Sequence, residues 1–187
     1  MSSKEEEFWN ACDENDLEKV KELSNQIDDI NWGNNFGWTG LIISCNNGNK
    51  EIVEYLISHP KINVNKEDKH GRTPLFIACW EGKEEIVKIL LKDERVNVNK
   101  EDNDGRTPLW IACFEGYEEI VKILFASGRE IDTTKKTIPG NYDWNNTTAA
   151  EIARKEGKEQ IAKLVDEYAE KPMEIILRLR KEMSKLF

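Results

Sequence analysis

Four cysteines are the first residues whose type and spacing invite a chemical reading. Cys12, Cys45, Cys79 and Cys113 follow one another at intervals of 33, 34 and 34 residues. Thiolates could hold zinc, but zinc sites draw their ligands from closely spaced pairs, and no CxxC or Cys/His spacing of that kind occurs. A disulfide needs Cα atoms within about 7 Å, whereas packed helices lie roughly 10 Å apart, so equivalent cysteines on neighbouring helices are not expected to pair. The four read as small buried apolar residues. The two histidines, His59 and His70, have neither a nucleophile nor a second ligand at motif spacing. GxGxxG, GxxxxGK[ST], HExxH and GxSxG are all missing. Carboxylates are abundant but alternate with lysines, as solvated helix faces do. No catalytic constellation, metal site or cofactor site is expected. The sequons Asn145-Asn146-Thr147 and Asn146-Thr147-Thr148 carry no weight without a secretory signal.

Charge narrows the partners. The chain has 187 residues, 27 Lys and Arg against 36 Asp and Glu, and a formal net charge of -9. Phosphate recognition needs clustered cations, so neither a nucleic acid nor an anionic membrane is expected as partner. Ten acids against three lysines put -7 of that charge in residues 1–30. This acidic end is read as solvated, with docking of a basic partner as the alternative. No run of apolar residues is long enough to span a bilayer, and the acidic start lacks the regions of a signal peptide. The expectation is a cytoplasmic protein, with the nucleus also open to it.

What positions these residues is a repeat. Gly71-Arg72-Thr73-Pro74-Leu75-Phe76-Ile77-Ala78-Cys79-Trp80-Glu81-Gly82 returns 34 residues later as Gly105-Arg106-Thr107-Pro108-Leu109-Trp110-Ile111-Ala112-Cys113-Phe114-Glu115-Gly116. A looser copy runs from Gly37 to Cys45, and degenerate copies surround Phe8–Cys12 and Thr148–Ala153. Thr73 can cap a helix, Pro74 suits its first position, and Gly82 can end it in the left-handed conformation. A second helix is expected from Glu84, with Ile86, Val87, Leu90 and Leu91 at helical spacing. The polar run ending in Asp104-Gly105 has hairpin chemistry. One such unit cannot bury both of its faces alone, so the units must stack.

On these motifs the chain resembles ankyrin repeats, whose units of about 33 residues carry a T-P-L-H-x-A signature. The resemblance implies an all-α solenoid over residues 1–170, with repeats at about 4–35, 36–69, 70–103, 104–140 and 141–170. A C-terminal amphipathic helix is expected over 171–187. Three departures stand out. The period is 34, the signature His is replaced by Ile42, Phe76 and Trp110, and Gly40 and Ala149 occupy the helix-start position held elsewhere by Pro.

The resemblance also implies binding of another protein, in a scaffold, adaptor or inhibitor role, by hairpin tips and the concave face of the first helices. Mapped here, the candidates are Trp38, Lys69, His70, Arg72, Trp80, Glu81, Asp104, Arg106, Phe114, Glu115 and Trp144. Trp38, Trp80 and Phe114 would anchor the partner, with Arg72, Arg106, Glu81 and Glu115 setting register. Phe76 and Trp110 are read as packing residues, while Trp80 and Phe114 are read as an aromatic hot spot, with packing as its alternative. About seven inserted residues within 133–146, including Lys135, Lys136 and Tyr142, are either a binding loop or a tolerated insertion. In the tail, Met173, Ile176, Leu179, Met183 and Leu186 are expected on one face, either capping the last repeat or meeting a partner. A monomer is expected. An enzyme, or the targeting module of one, would need a reactive centre that the sequence lacks. A structural or artificial array without a dedicated partner is the other alternative, and the irregular ends and insert speak against it.

Overall fold

The computed structural model describes residues 3–140 and 143–183. In them run α1 (Lys4–Asp13), α2 (Leu17–Ser24), α3 (Gly40–Asn47), α4 (Lys50–Ser58), α5 (Pro74–Trp80), α6 (Glu84–Leu91), α7 (Pro108–Glu115), α8 (Glu118–Ala126), α9 (Ala149–Lys155), α10 (Glu159–Glu170) and α11 (Pro172–Glu182). No strand occurs among the described residues, and the one isolated bridge joins Gly33 to Thr39. The helices fall into two units, Met1–Asn97 and Val98–Phe187. In the first unit α1, α3 and α5 form one layer and α2, α4 and α6 the other. In the second, α7 lies on α9, and α8 lies on α10 and α11.

Threonine starts these helices as the sequence suggests. The side chains of Thr39, Thr73, Thr107 and Thr148 accept from the N–H three residues on, at 3.2, 3.2, 3.1 and 3.3 Å. Each satisfies one of the donors that a helix start leaves free. At Ala149 the absent proline is offset by a capping box, in which the Thr148 N–H also donates to Glu151 Oε2 at 2.7 Å. That bond is the main reason the Glu151 carboxyl sits below the ordinary glutamate range. Its contribution to stability is therefore present above the unfolded-state value and is lost as pH falls through the lowered one. Gly40 has a different cause. A Cβ there would lie 2.8 Å from Phe8 Cε1 and 2.9 Å from Cys12 Sγ, so α1 packs too close for a larger residue.

The first-helix positions that replace the signature His are core. Ile42, Phe76 and Trp110 are fully buried, and Trp110 Nε1 donates to Thr147 Oγ1 at 3.2 Å, which satisfies the polar edge of the ring. All four cysteines are buried free thiols. Burial pushes Cys12 up to about 12 and raises Cys45 and Cys113 as well.

A second set of 34-residue repeats holds the outer loops together. Asn31 Nδ2 donates to the Lys61 carbonyl at 2.9 Å while its Oδ1 accepts from the Asn63 N–H at 2.7 Å. Asn65 does the same to Arg95 and Asn97, both at 2.7 Å. In the second unit Asn99 binds the Glu130 carbonyl at 2.8 Å and the Asp132 N–H at 2.9 Å. Each amide serves as donor and acceptor at once, tying its own loop to the next one.

Helix α11 packs on α8 and α10 through Ile175, Ile176, Leu179 and Met183. The expected face is corrected at one residue, because Met173 is 66% exposed. Successive helical residues turn by about 100°, which leaves Met173 roughly a quarter-turn off the stripe that Ile175 completes. Arg180 donates to the Ala126 and Ser127 carbonyls at 2.7 and 3.0 Å, placing a cation on the C-terminal end of α8. Lys185 and Leu186 lie outside the described residues.

Two outcomes follow. Trp110→Ala should lower the unfolding free energy by about 3–5 kcal/mol in urea titrations, and a loss below about 1 kcal/mol would remove the ring from the core. Iodoacetamide should leave all four thiols unlabelled in the native protein and modify them once urea unfolds it.

Candidate partner-binding surface

Each hairpin is organised by one side chain at its base. In the first unit Asn34 Oδ1 accepts from the Phe36 and Trp38 N–H groups at 2.9 and 3.1 Å. Asp68 Oδ1 accepts from the His70 and Arg72 N–H groups at 2.8 and 3.0 Å. In the second unit Asp102 Oδ1 accepts from the Asp104 and Arg106 N–H groups at 3.0 and 2.9 Å. Gly37, Gly71 and Gly105 take the positive φ that these tight loops require.

The second carboxylate oxygen reaches the rings. Asp68 Oδ2 accepts from Arg72 Nε at 2.7 Å and from Trp38 Nε1 at 3.2 Å. The Arg72 guanidinium then lies over two indoles, 5.8 Å from the Trp38 centroid and 5.1 Å from that of Trp80. Trp80 meets the buried Phe76 edge-on, with centroids 6.2 Å apart. The second unit repeats the scheme. Arg106 binds Asp102 at 2.6 Å and Asp104 at 3.0 Å, and covers Trp144 at 5.4 Å. Trp144 stands edge-on to Trp110 at 5.9 Å, and Phe114 stacks on the same Trp110 at 5.4 Å with 9° between the planes.

The candidates thus separate into groups. Trp38, Arg72 and Trp80 come together in the first unit, and Asp104, Arg106, Phe114 and Trp144 in the second. Lys69, His70 and Glu81 are exposed around them, and Glu115 is half-buried. The four rings are half-buried, each held from one side and open on another.

Two expectations need correction. Arg72 and Arg106 are not free cations, because their side chains are 12% and 19% exposed and tied to carboxylates. The carboxylates are not all solvent-facing, since the side chains of Asp68 and Asp102 are 0% and 1% exposed. These aspartates are the organising residues that motif reading passes over. Their signal was present as an Asp four residues before each Arg, at the repeat interval.

The insertion closes by other means. Thr137 Oγ1 donates to the Trp144 carbonyl at 2.8 Å and accepts from the Thr147 N–H at 3.1 Å. It thereby holds a longer loop shut and leaves Ile138 55% exposed. The Ile138 N–H donates to the Asp104 carbonyl at 2.9 Å, the bond that Lys69 makes to Phe36 at 3.0 Å in the first unit. Tyr142 lies outside the described residues.

Residues 8–102 and 96–174 match a family model described as ankyrin repeats (3 copies). The chain belongs to the ankyrin repeat family. Comparison with curated proteins finds no match. Ankyrin repeats are generally protein–protein interaction modules and typically non-catalytic. Among the described residues, no group of three or more His, Cys, Asp and Glu side chains is placed to hold a metal ion, and no helix is long and apolar enough to cross a membrane.

In this ankyrin repeat chain Asp68→Ala should cost about 3–5 kcal/mol, because it leaves the Arg72 cation without its partner in a site shielded from water. Asp68→Asn keeps an acceptor for the hairpin N–H groups and should cost less. Equal and small losses for both variants, by urea titration, would mean that the carboxylate does not organise the hairpin.

Proposed function

We propose that the protein is a recognition module that binds a protein partner with the hairpin tips and first helices of its repeats, as scaffold, adaptor or inhibitor. The anchors are Trp38 and Trp80 in the first unit and Phe114 and Trp144 in the second. Arg72 and Arg106 hold those rings in place, while Lys69, His70, Glu81, Asp104 and Glu115 surround them and set specificity. Residues 1–170 act as the ankyrin domain and 171–187 as its terminal helix. The module works as a monomer in the cytoplasm.

The observation that carries this reading is the half-exposed state of rings whose other sides are fixed. A ring serving stability alone would be hidden, since each aromatic offers roughly 150–250 Å² for burial. A ring fixed by a guanidinium or by a second ring loses little freedom on binding, which lowers the ordering cost of association. Aromatic anchors with a charged surround are the usual composition of binding hot spots.

The test is a Trp80→Ala, Phe114→Ala double variant that circular dichroism shows to be folded. In a crosslinking pull-down from the native source, it should lose a protein that the wild type retains. Retention of that protein by the variant would move the site to the insertion, the tail or the acidic end. Cooperative unfolding of the variant would make the rings packing residues.

A further inference from the structure

The first unit carries two adjoining depressions beside its first hairpin. One, of about 290 Å³, is walled by Trp9, Phe36, Trp38, Ile43 and His70. The other, of about 360 Å³, is walled by Glu6, Trp9, Asn10, Trp32 and Asn35. Trp9 and Asn34 border both. Three observations point to a ligand. Trp9 Nε1 is shielded from solvent and has no acceptor among the described residues. Phe36, on the rim of the first depression, is 67% exposed although it is a large apolar residue. Glu6 forms no ion pair among the described residues, although it lies beside two indoles.

The two depressions ask for different chemistry. The first is lined by rings, and the one guanidinium near it is already neutralised by Asp68, so it suits an uncharged apolar side chain. The second combines indole rings with an unpaired carboxylate and amide groups, which suits a cation. In an extended segment, side chains at i and i+2 point the same way and lie about 7 Å apart. The residue between them presents backbone carbonyl groups toward the shared wall. A buried N–H without an acceptor is costly, and a partner carbonyl is what Trp9 lacks.

We propose that this corner of the binding surface reads a short extended segment of the partner with an apolar residue, one intervening residue, and a Lys or Arg. The apolar side chain enters the Trp9–Phe36–Trp38 depression. The cation enters the Glu6–Trp9–Trp32 depression, and Trp9 Nε1 donates to a carbonyl between them. This rests on the binding reading above and supplies the chemistry of the partner.

The test is selection of a random dodecapeptide phage library on the full chain, followed by fluorescence anisotropy with the synthesised consensus peptide. A consensus of apolar, any residue, basic is expected. Its affinity should fall about tenfold on Glu6→Lys, where a like charge now meets the cation, and several-fold on Trp9→Phe. The Trp9 indole N–H signal, assigned by its loss in Trp9→Phe, should move downfield when the peptide binds. Glu6 is exposed, so Glu6→Lys remains informative even where Trp9→Phe loosens the first repeat. An acidic consensus, no consensus, or an affinity unmoved by Glu6→Lys overturns the inference. A peptide lost on Trp80→Ala, Phe114→Ala but kept on Glu6→Lys would overturn the inference alone and leave the binding reading standing.

Discussion

The helices of this chain are too short to stand alone. Among the described residues they run from seven residues in α5 to twelve in α10. Isolated helices shorter than about 12–15 residues are marginal in water. Their stability therefore comes from apolar faces shared with neighbours, and every other feature follows from keeping those faces together. The constraint explains why α3, α5 and α7 are buried along most of their length, including positions where a polar signature residue is usual. It also explains why four cysteines sit at one repeat position without pairing: they fill space between helices.

Stacking alone would leave the loops undefined, and here buried polar chemistry takes over. Asp68 and Asp102 each close a hairpin with one oxygen and hold an arginine with the other. The arginine then positions an indole. A backbone constraint is in this way transmitted to the rings that face outward. The cost is that the guanidinium groups are no longer available to a partner, so specificity falls to groups at the margin. The asparagines Asn31, Asn65 and Asn99 perform the matching task on the outer loops.

Much of this was legible in the sequence. The 34-residue interval, the Thr-Pro helix starts and the left-handed glycines determine the helix pairs and their order. Trp110 and Phe76 were readable as core because rings at that position lie between helices. What escaped depended on contacts between repeats. Gly40 looks like a weakened helix start until Phe8 and Cys12 are seen against it. Asp68 and Asp102 look like two more surface acids until their burial is known, although their fixed distance from each arginine hinted otherwise. Met173 matched a spacing rule but missed the stripe, since a three-residue step drifts around the helix. Trp9 and Phe36 acquire meaning only from the depression that they share.

The central claim is that binding falls on the face bearing hairpin tips and first helices. Hydrogen exchange of the full chain, alone and with its partner bound, tests this most directly. The account predicts slowed exchange at the hairpin and first-helix amides of residues 34–46, 68–81 and 103–116, with α2, α4 and α6 unchanged. Slowed exchange confined to the second helices or to α11, with the hairpins untouched, would contradict it.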